Sequence, residues 1–250
     1  MSSWLPADRA CSRAHSYWDH TRADGSFYGL DFRTGGAPNT LPPASNSSYD
    51  VYSAFVFAEA VAKIVRDHSA ASADAAAADT ATTTMPLFVY LPFQSVHSPL
   101  QAPEEYMAMY SEVNNTARKT VCAMVTAMDN ATRMVILAYK QAGLWDDTVL
   151  VFSTDNGGPL PDHTNYPLRS GKAHNWEGGV RGIGFVRGTN SALAKVPAGQ
   201  TQELMHTTDW LPVRTAPLAP SHAAQISKSA TETRAWASPP AGNWPRLNSH

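Results

Sequence analysis

Apolar positions recur at helical spacing between Tyr49 and Asp67. Val51, Ala54, Phe55, Ala58, Val61, Ala62 and Val65 alternate there with Glu59, Lys63 and Arg66. That period predicts an amphipathic helix. The next stretch, 69–84, contains only Ala, Ser, Asp and Thr. It has nothing to bury and reads as a flexible low-complexity loop, although alanine can carry some helix. The run Pro86–Pro92 (PLFVYLP) is apolar and bounded by prolines, which predicts a buried strand. A helical patch begins over Pro103–Tyr110. A longer helix is predicted over Lys119–Ala142, where Val121, Met124, Val125, Met128, Met134, Val135, Leu137 and Ala138 form one stripe and Gly143 is a C-cap. Val149-Leu150-Val151-Phe152 then gives a second buried strand, broken by Asp155-Asn156-Gly157-Gly158.

From Pro86 to Gly158 the order is strand, loop, helix, strand. That is a βαβ unit and predicts an α/β fold with a mostly parallel, helix-covered sheet. Glycines at 178, 179, 182 and 184 feed a further strand ending near Val186. Leu204–Val213 holds a possible helix N-cap at Thr207 or Thr208. The ends differ from this middle. Residues 1–48 show no sustained period and read as irregular, with a short strand near Tyr28–Phe32. Residues 214–250 are Ala-, Pro-, Ser- and Thr-rich and read as a disordered tail. The organised part is 49–213.

Composition narrows the picture modestly. A net charge of −2 over 250 residues gives no electrostatic case for nucleic acid or an anionic membrane. No run reaches the roughly 18 uninterrupted apolar residues of a membrane span. Cys11 and Cys122 lie far apart without a CxxC pair, which argues against structural zinc and leaves pairing open. Asn46, Asn114 and Asn130 each begin an Asn-x-Ser/Thr tripeptide, weak support for a secretory glycoprotein. The first residues, MSSWLPADRACSR, carry charges and do not read as a signal peptide.

Candidate chemistry sits where strands end. Asp155 and Asn156 offer adjacent hard oxygens of the kind that suit Ca²⁺ or Mg²⁺, although Asp-Asn-Gly-Gly is equally a plain turn sequence. His97 follows the first predicted strand and Lys172 lies in the glycine-rich loop beyond the second. In a parallel sheet those strand ends open on one edge, where ligands bind. A cation with an imidazole and an ammonium would make a pocket for an oxyanion. Taken singly, a histidine beside proline is ordinarily a surface or capping residue, and a loop lysine is ordinarily solvated.

Four strings occur in order: PLFVYLPFQSVHSPLQAPEEY, GLWDDTVLVFSTDNGG, NYPLRSGKAHNWEGGVRGIGFV and HTTDWLPV. Together they resemble the type I sulfatases, most closely the arylsulfatase B-like branch, over roughly Tyr49–Val213. The resemblance implies an alkaline phosphatase-like α/β fold and a sulfuric ester hydrolase acting on sulfated small molecules or glycosaminoglycans in the lysosome or outside the cell. It implies Asp155 and Asn156 as two ligands of a Ca²⁺ ion, and His97 and Lys172 as catalytic, sulfate-contacting residues. It also implies a formylglycine nucleophile made from Cys or Ser in C/S-x-P-x-R. No such motif occurs in this sequence. The chain therefore looks like the later half of a sulfatase catalytic domain. The alternative is an inactive sulfatase-like protein that binds sulfated glycans or pairs with a full-length homologue.

Overall fold

The computed structural model describes residues 16–18, 21–24, 27–30, 51–77, 86–188, 198–200 and 205–210. The expectations for most of 1–48, for 78–85 and for the tail from 214 lie outside the described residues. Strands β1 (Thr21–Asp24) and β2 (Phe27–Leu30) form an antiparallel hairpin with Asp24 opposite Phe27. The short strand read near Tyr28 is thus β2, and its partner Thr21-Arg22-Ala23-Asp24 carried no apolar signal.

Helix α1 runs Ser53–Ala77. It continues well past Asp67, so the first half of the expected loop is helical. Alanine has the best intrinsic helix propensity, and Ala70–Ala77 extends a helix already nucleated by its buried face. Helix α2 is one short turn, Glu104–Ala108. Helix α3 spans Thr116–Gln141. Its N-cap is Asn115, whose side chain accepts from the Arg118 N–H at 2.8 Å. At its other end Gly143 takes a φ of 71° and its N–H donates to Lys140 O at 3.1 Å. That left-handed stop suits glycine.

Small residues let α1 and α3 approach closely. Ala54, Ala58, Met124, Ala127 and Ala131 are buried in one cluster with Tyr17 and Tyr52. The two tyrosine rings stack at 5.1 Å. The Tyr17 hydroxyl donates to Gln94 O and His97 O, each at 2.8 Å, while the Gln101 side chain accepts from the Tyr17 N–H at 2.9 Å. Tyr52 donates to Gln101 O at 3.0 Å and Ser53 to the Gln94 side chain at 3.0 Å. Residues 94–101 are therefore held on the helix pair by buried polar bonds. Burial raises both phenols, with Tyr52 pushed up to about 12, so both remain neutral donors.

Among the described residues α3 is the one helix long and apolar enough to cross a membrane by length and composition. The sequence reading found no such run, because Arg118, Lys119, Asp129, Arg133 and Lys140 interrupt the helix. In the fold its alanine face packs on α1.

Strand β3 (Val149–Ser153) pairs antiparallel with β4 (Gly184–Gly188), Val151 opposite Val186. Phe152 and Phe185 stack at 5.1 Å. Residues 86–92 are not a strand and are not buried. Phe88 is 63% and Tyr90 76% exposed. Exposure alternates residue by residue through 86–92, the period of a strand, but a strand also needs a hydrogen-bonded neighbour. No parallel pair occurs among the described residues, whose sheets are both two-stranded. Val149, Val151, Ile183, Phe185 and Val186 are exposed as well.

In the second compact unit, from Val196, a 3₁₀ turn covers Thr207–Asp209. Its cap is His206 rather than Thr207 or Thr208. The His206 N–H donates to the Asp209 carboxylate at 2.7 Å.

Candidate active site

Thr154 sets the point where the chain leaves β3. Its N–H donates to Ile183 O at 2.9 Å and its hydroxyl accepts from the Ile183 N–H at 2.8 Å. The next residues, Asp155-Asn156-Gly157-Gly158, are fastened to a second segment, 165–180, a loop that closes in one helical turn, Glu177–Val180. Gly157 N–H donates to Gly179 O at 3.0 Å and Lys172 N–H to Gly158 O at 3.1 Å. Asn165 joins them: its carbonyl accepts from Gly158 N–H at 2.9 Å, and its amide donates to Gly158 O at 2.9 Å and Ser170 O at 3.0 Å.

This contact admits no side chains where the loops cross. A Cβ on Gly157 would collide with the carbonyl of Gly178, and one on Gly178 with the carbonyls of Ser170 and Arg169. Ser170 and Ala173, flanking Gly171-Lys172, hold φ values of 66° and 71°. Non-glycine residues in that region store strain and cluster at functional sites.

The backbone thus brings Asp155, Asn156 and Lys172 together. Asp155 is exposed, and among the described residues its carboxylate has no hydrogen bond or ion pair. Asn156 turns its amide nitrogen to Gly157 O at 2.9 Å, which leaves its oxygen unengaged. The Lys172 ammonium likewise has no hydrogen-bond or ion-pair partner among the described residues. The two oxygens fit a hard cation in kind. They fall short in number, since Ca²⁺ takes about six to eight. No cluster of three His, Cys, Asp or Glu side chains is found among the described residues.

His97 stands on the neighbouring loop. It is exposed, with Nδ1 2.9 Å from Ser98 O, and its own carbonyl is gripped by Tyr17. No direct bond links it to Asp155, Asn156 or Lys172. The link between the loops is His163, a residue the sequence reading passed over. Its Cβ lies where a side chain on Gly158 would go. Both of its ring nitrogens are shielded from solvent without a hydrogen-bond partner. Carbonyls of Val96 and Pro159 lie near the ring without reaching hydrogen-bond geometry.

Burial lowers the His163 pKa below its ordinary 6.5, opposed by the Asp162 carboxylate. A depressed histidine favours the fold above the unfolded value and costs stability as pH falls through the folded one. Stability is therefore expected to decline as pH falls below about 6.5, the unfolded value of histidine. His163→Gln should flatten that decline in denaturant titrations. An unchanged pH slope in the variant would contradict the assignment.

Arg169 places its guanidinium carbon 3.6 Å from the centre of the Trp176 ring. Neither this pair nor Asn165 stood out in the sequence. The signal available was the spacing of Asn165, Arg169, Lys172 and the Glu177-Gly178-Gly179 string.

The sulfatase family model matches residues 13–213. The chain belongs to the sulfatase family. It is 37% identical over 172 residues to arylsulfatase J of Mus musculus, covering 67% of this chain and 26% of that protein. It is 26% identical over 137 residues to the uncharacterized sulfatase YdeN of Escherichia coli (strain K12), covering 52% and 23%. A crystal structure of Ps i-CgsB in complex with k-i-k-neocarrahexaose superposes with a TM-score of 0.58 at 29% identity, over 68% of this chain and 34% of that one. The alkaline phosphatase-like α/β fold expected of this chain therefore holds by family. The chain spans about a quarter of the length of the curated relatives it matches.

Proposed function

We propose that these 250 residues carry part of the active site of a calcium-dependent sulfatase. Asp155 and Asn156 supply two oxygen ligands of the metal, and Lys172 and His97 contact the sulfate group. The observation that carries this reading is the backbone bonding of the Asp155-Asn156 turn to the Lys172 loop, which leaves carboxylate, amide oxygen and ammonium unengaged by the described residues. Lys172 acts as a point charge on sulfate oxygens. The His97 imidazole protonates the leaving oxygen. Calcium, when bound, supplies positive charge that stabilises the charge developing on sulfate.

The nucleophile and the remaining metal ligands come from residues outside this sequence, which has no C/S-x-P-x-R motif. A sulfated glycan is the proposed substrate class, supported by the oligosaccharide bound to Ps i-CgsB. A lysosomal or extracellular location is proposed from the resemblance. It is compatible with the exposure of Asn114, whereas Asn130 donates its amide to the Tyr106 hydroxyl at 2.6 Å and is a poor glycan acceptor. The missing motif favours a second reading, a non-catalytic chain that retains only sulfate binding.

Calorimetry with a sulfated oligosaccharide tests the binding part common to both readings. Binding is expected to be weak, to strengthen with calcium, and to fall about tenfold in Lys172→Gln, the loss of one charge-assisted contact. Equal affinity for the parent and variant chains would refute the site.

A further inference from the structure

Arg169 is an exposed cation with an unusual constraint. Its guanidinium lies over the Trp176 ring at 3.6 Å, and among the described residues it has no hydrogen bond or ion pair. Stacking on an indole orients a guanidinium without consuming its five N–H donors. The loop beneath it is fixed, because Arg169 O accepts the Gly178 N–H at 2.8 Å and Trp176 O accepts the Gly179 N–H at 2.7 Å. Lys172 follows three residues later, so the two Cα atoms are at most about 11 Å apart. The nearest acids in sequence offer Arg169 no neutralising contact: Glu177 pairs with Arg181 at 3.3 Å instead.

We infer that Arg169, held by Trp176, is a second anion-binding position beside the Lys172 site, and that it selects ligands carrying two or more sulfate groups. The assignment rests on the proposed sulfate site and deepens it. Lys172 takes the sulfate ester to be cleaved. Arg169 grips a neighbouring sulfate by paired N–H donors, a geometry that a flexible lysine does not offer. Two cations on one loop, one of them held by the Trp176 ring, gain from two linked anions because the second contact is intramolecular. A simple aryl sulfate, with one anion, reaches only Lys172.

The test compares 4-nitrophenyl sulfate with a multiply sulfated carrageenan hexasaccharide, binding measured at sub-micromolar protein on the full 250-residue chain. Arg169→Gln is expected to weaken the hexasaccharide about tenfold and leave 4-nitrophenyl sulfate within about twofold. Trp176→Leu, which keeps the charge but frees the guanidinium, is expected to act in the same direction. Lys172→Gln should weaken both probes. If Lys172→Gln behaves so while Arg169→Gln weakens both probes equally or neither, the second position is refuted and the sulfate site survives. If Lys172→Gln changes neither, the sulfate site itself is wrong and the assignment of Arg169 falls with it.

Discussion

Gly157→Ala is expected to dismantle the candidate site while leaving the helical core intact. The added methyl would occupy the space of the Gly178 carbonyl, a backbone atom that cannot rotate aside. Relieving that overlap requires the two loops to separate, which breaks the bonds from Gly157 to Gly179 and from Lys172 to Gly158. The cost is about 3 kcal/mol, the upper end for overpacking, because no side chain can absorb it. Gly143→Ala is the control. It carries a φ of 71° but meets nothing within 4 Å. It should cost only about 1–2 kcal/mol, the strain of a left-handed residue. Amide exchange reads the difference locally. The Gly157, Gly158 and Lys172 N–H groups, which bond across the two loops, should lose protection in Gly157→Ala, while those of α3 should not. Equal, small effects from the two substitutions would show that the loop crossing is not tight.

The purified chain is expected not to hydrolyse 4-nitrophenyl sulfate. Hydrolysis through a covalent intermediate needs an activated nucleophile, and without one the step has no path of low barrier. Positioned cations alone do not replace it. The two oxygens of Asp155 and Asn156 also leave a cation mostly in water, with affinity weaker than about 1 mM. The exposed apolar side chains Phe88, Tyr90, Val151 and Phe185 add a physical handicap, since such surface favours self-association over a single ordered state. A chromogenic assay on the chain with millimolar calcium should give the background rate. Turnover above background that disappears in Lys172→Gln would overthrow the view that the nucleophile lies outside these residues.

The sequence disclosed the helices and the strand ends better than the pairing between strands. Helix α3 was legible because its apolar stripe and Gly143 agree, although its start at Thr116 behind the Asn115 cap lies three residues before the expected Lys119. Strand β3 was legible because Val149–Phe152 ends in an abrupt polar turn. The run 86–92 has the composition of a buried strand, yet burial depends on partners that a local pattern does not carry. The antiparallel pairing of β3 with β4 was likewise hidden, since register is a property of two segments. The extension of α1 through Ala77 was a choice between propensity and polarity, and propensity prevailed.

The site followed the same division. Asp155, Asn156, His97 and Lys172 were named from residue type and position. Asn165 and His163 were not, because one works through backbone bonds and the other through burial. Tyr17 was missed too. Its sequence surroundings, Ser16-Tyr17-Trp18, give no hint that its hydroxyl would hold the His97 loop from far along the chain.

The central claim is that one cation position is shared by Asp155 and Asn156 and lies beside His97 and Lys172. Manganese, a paramagnetic stand-in for calcium, tests it directly in a chain isotopically labelled at histidine and lysine. Millimolar Mn²⁺ should broaden the His97 ring and Lys172 side-chain resonances before those of His68 or Lys63. Asp155→Ala should abolish that selectivity. Uniform broadening of all histidines and lysines, or selective broadening that persists in Asp155→Ala, would contradict the account.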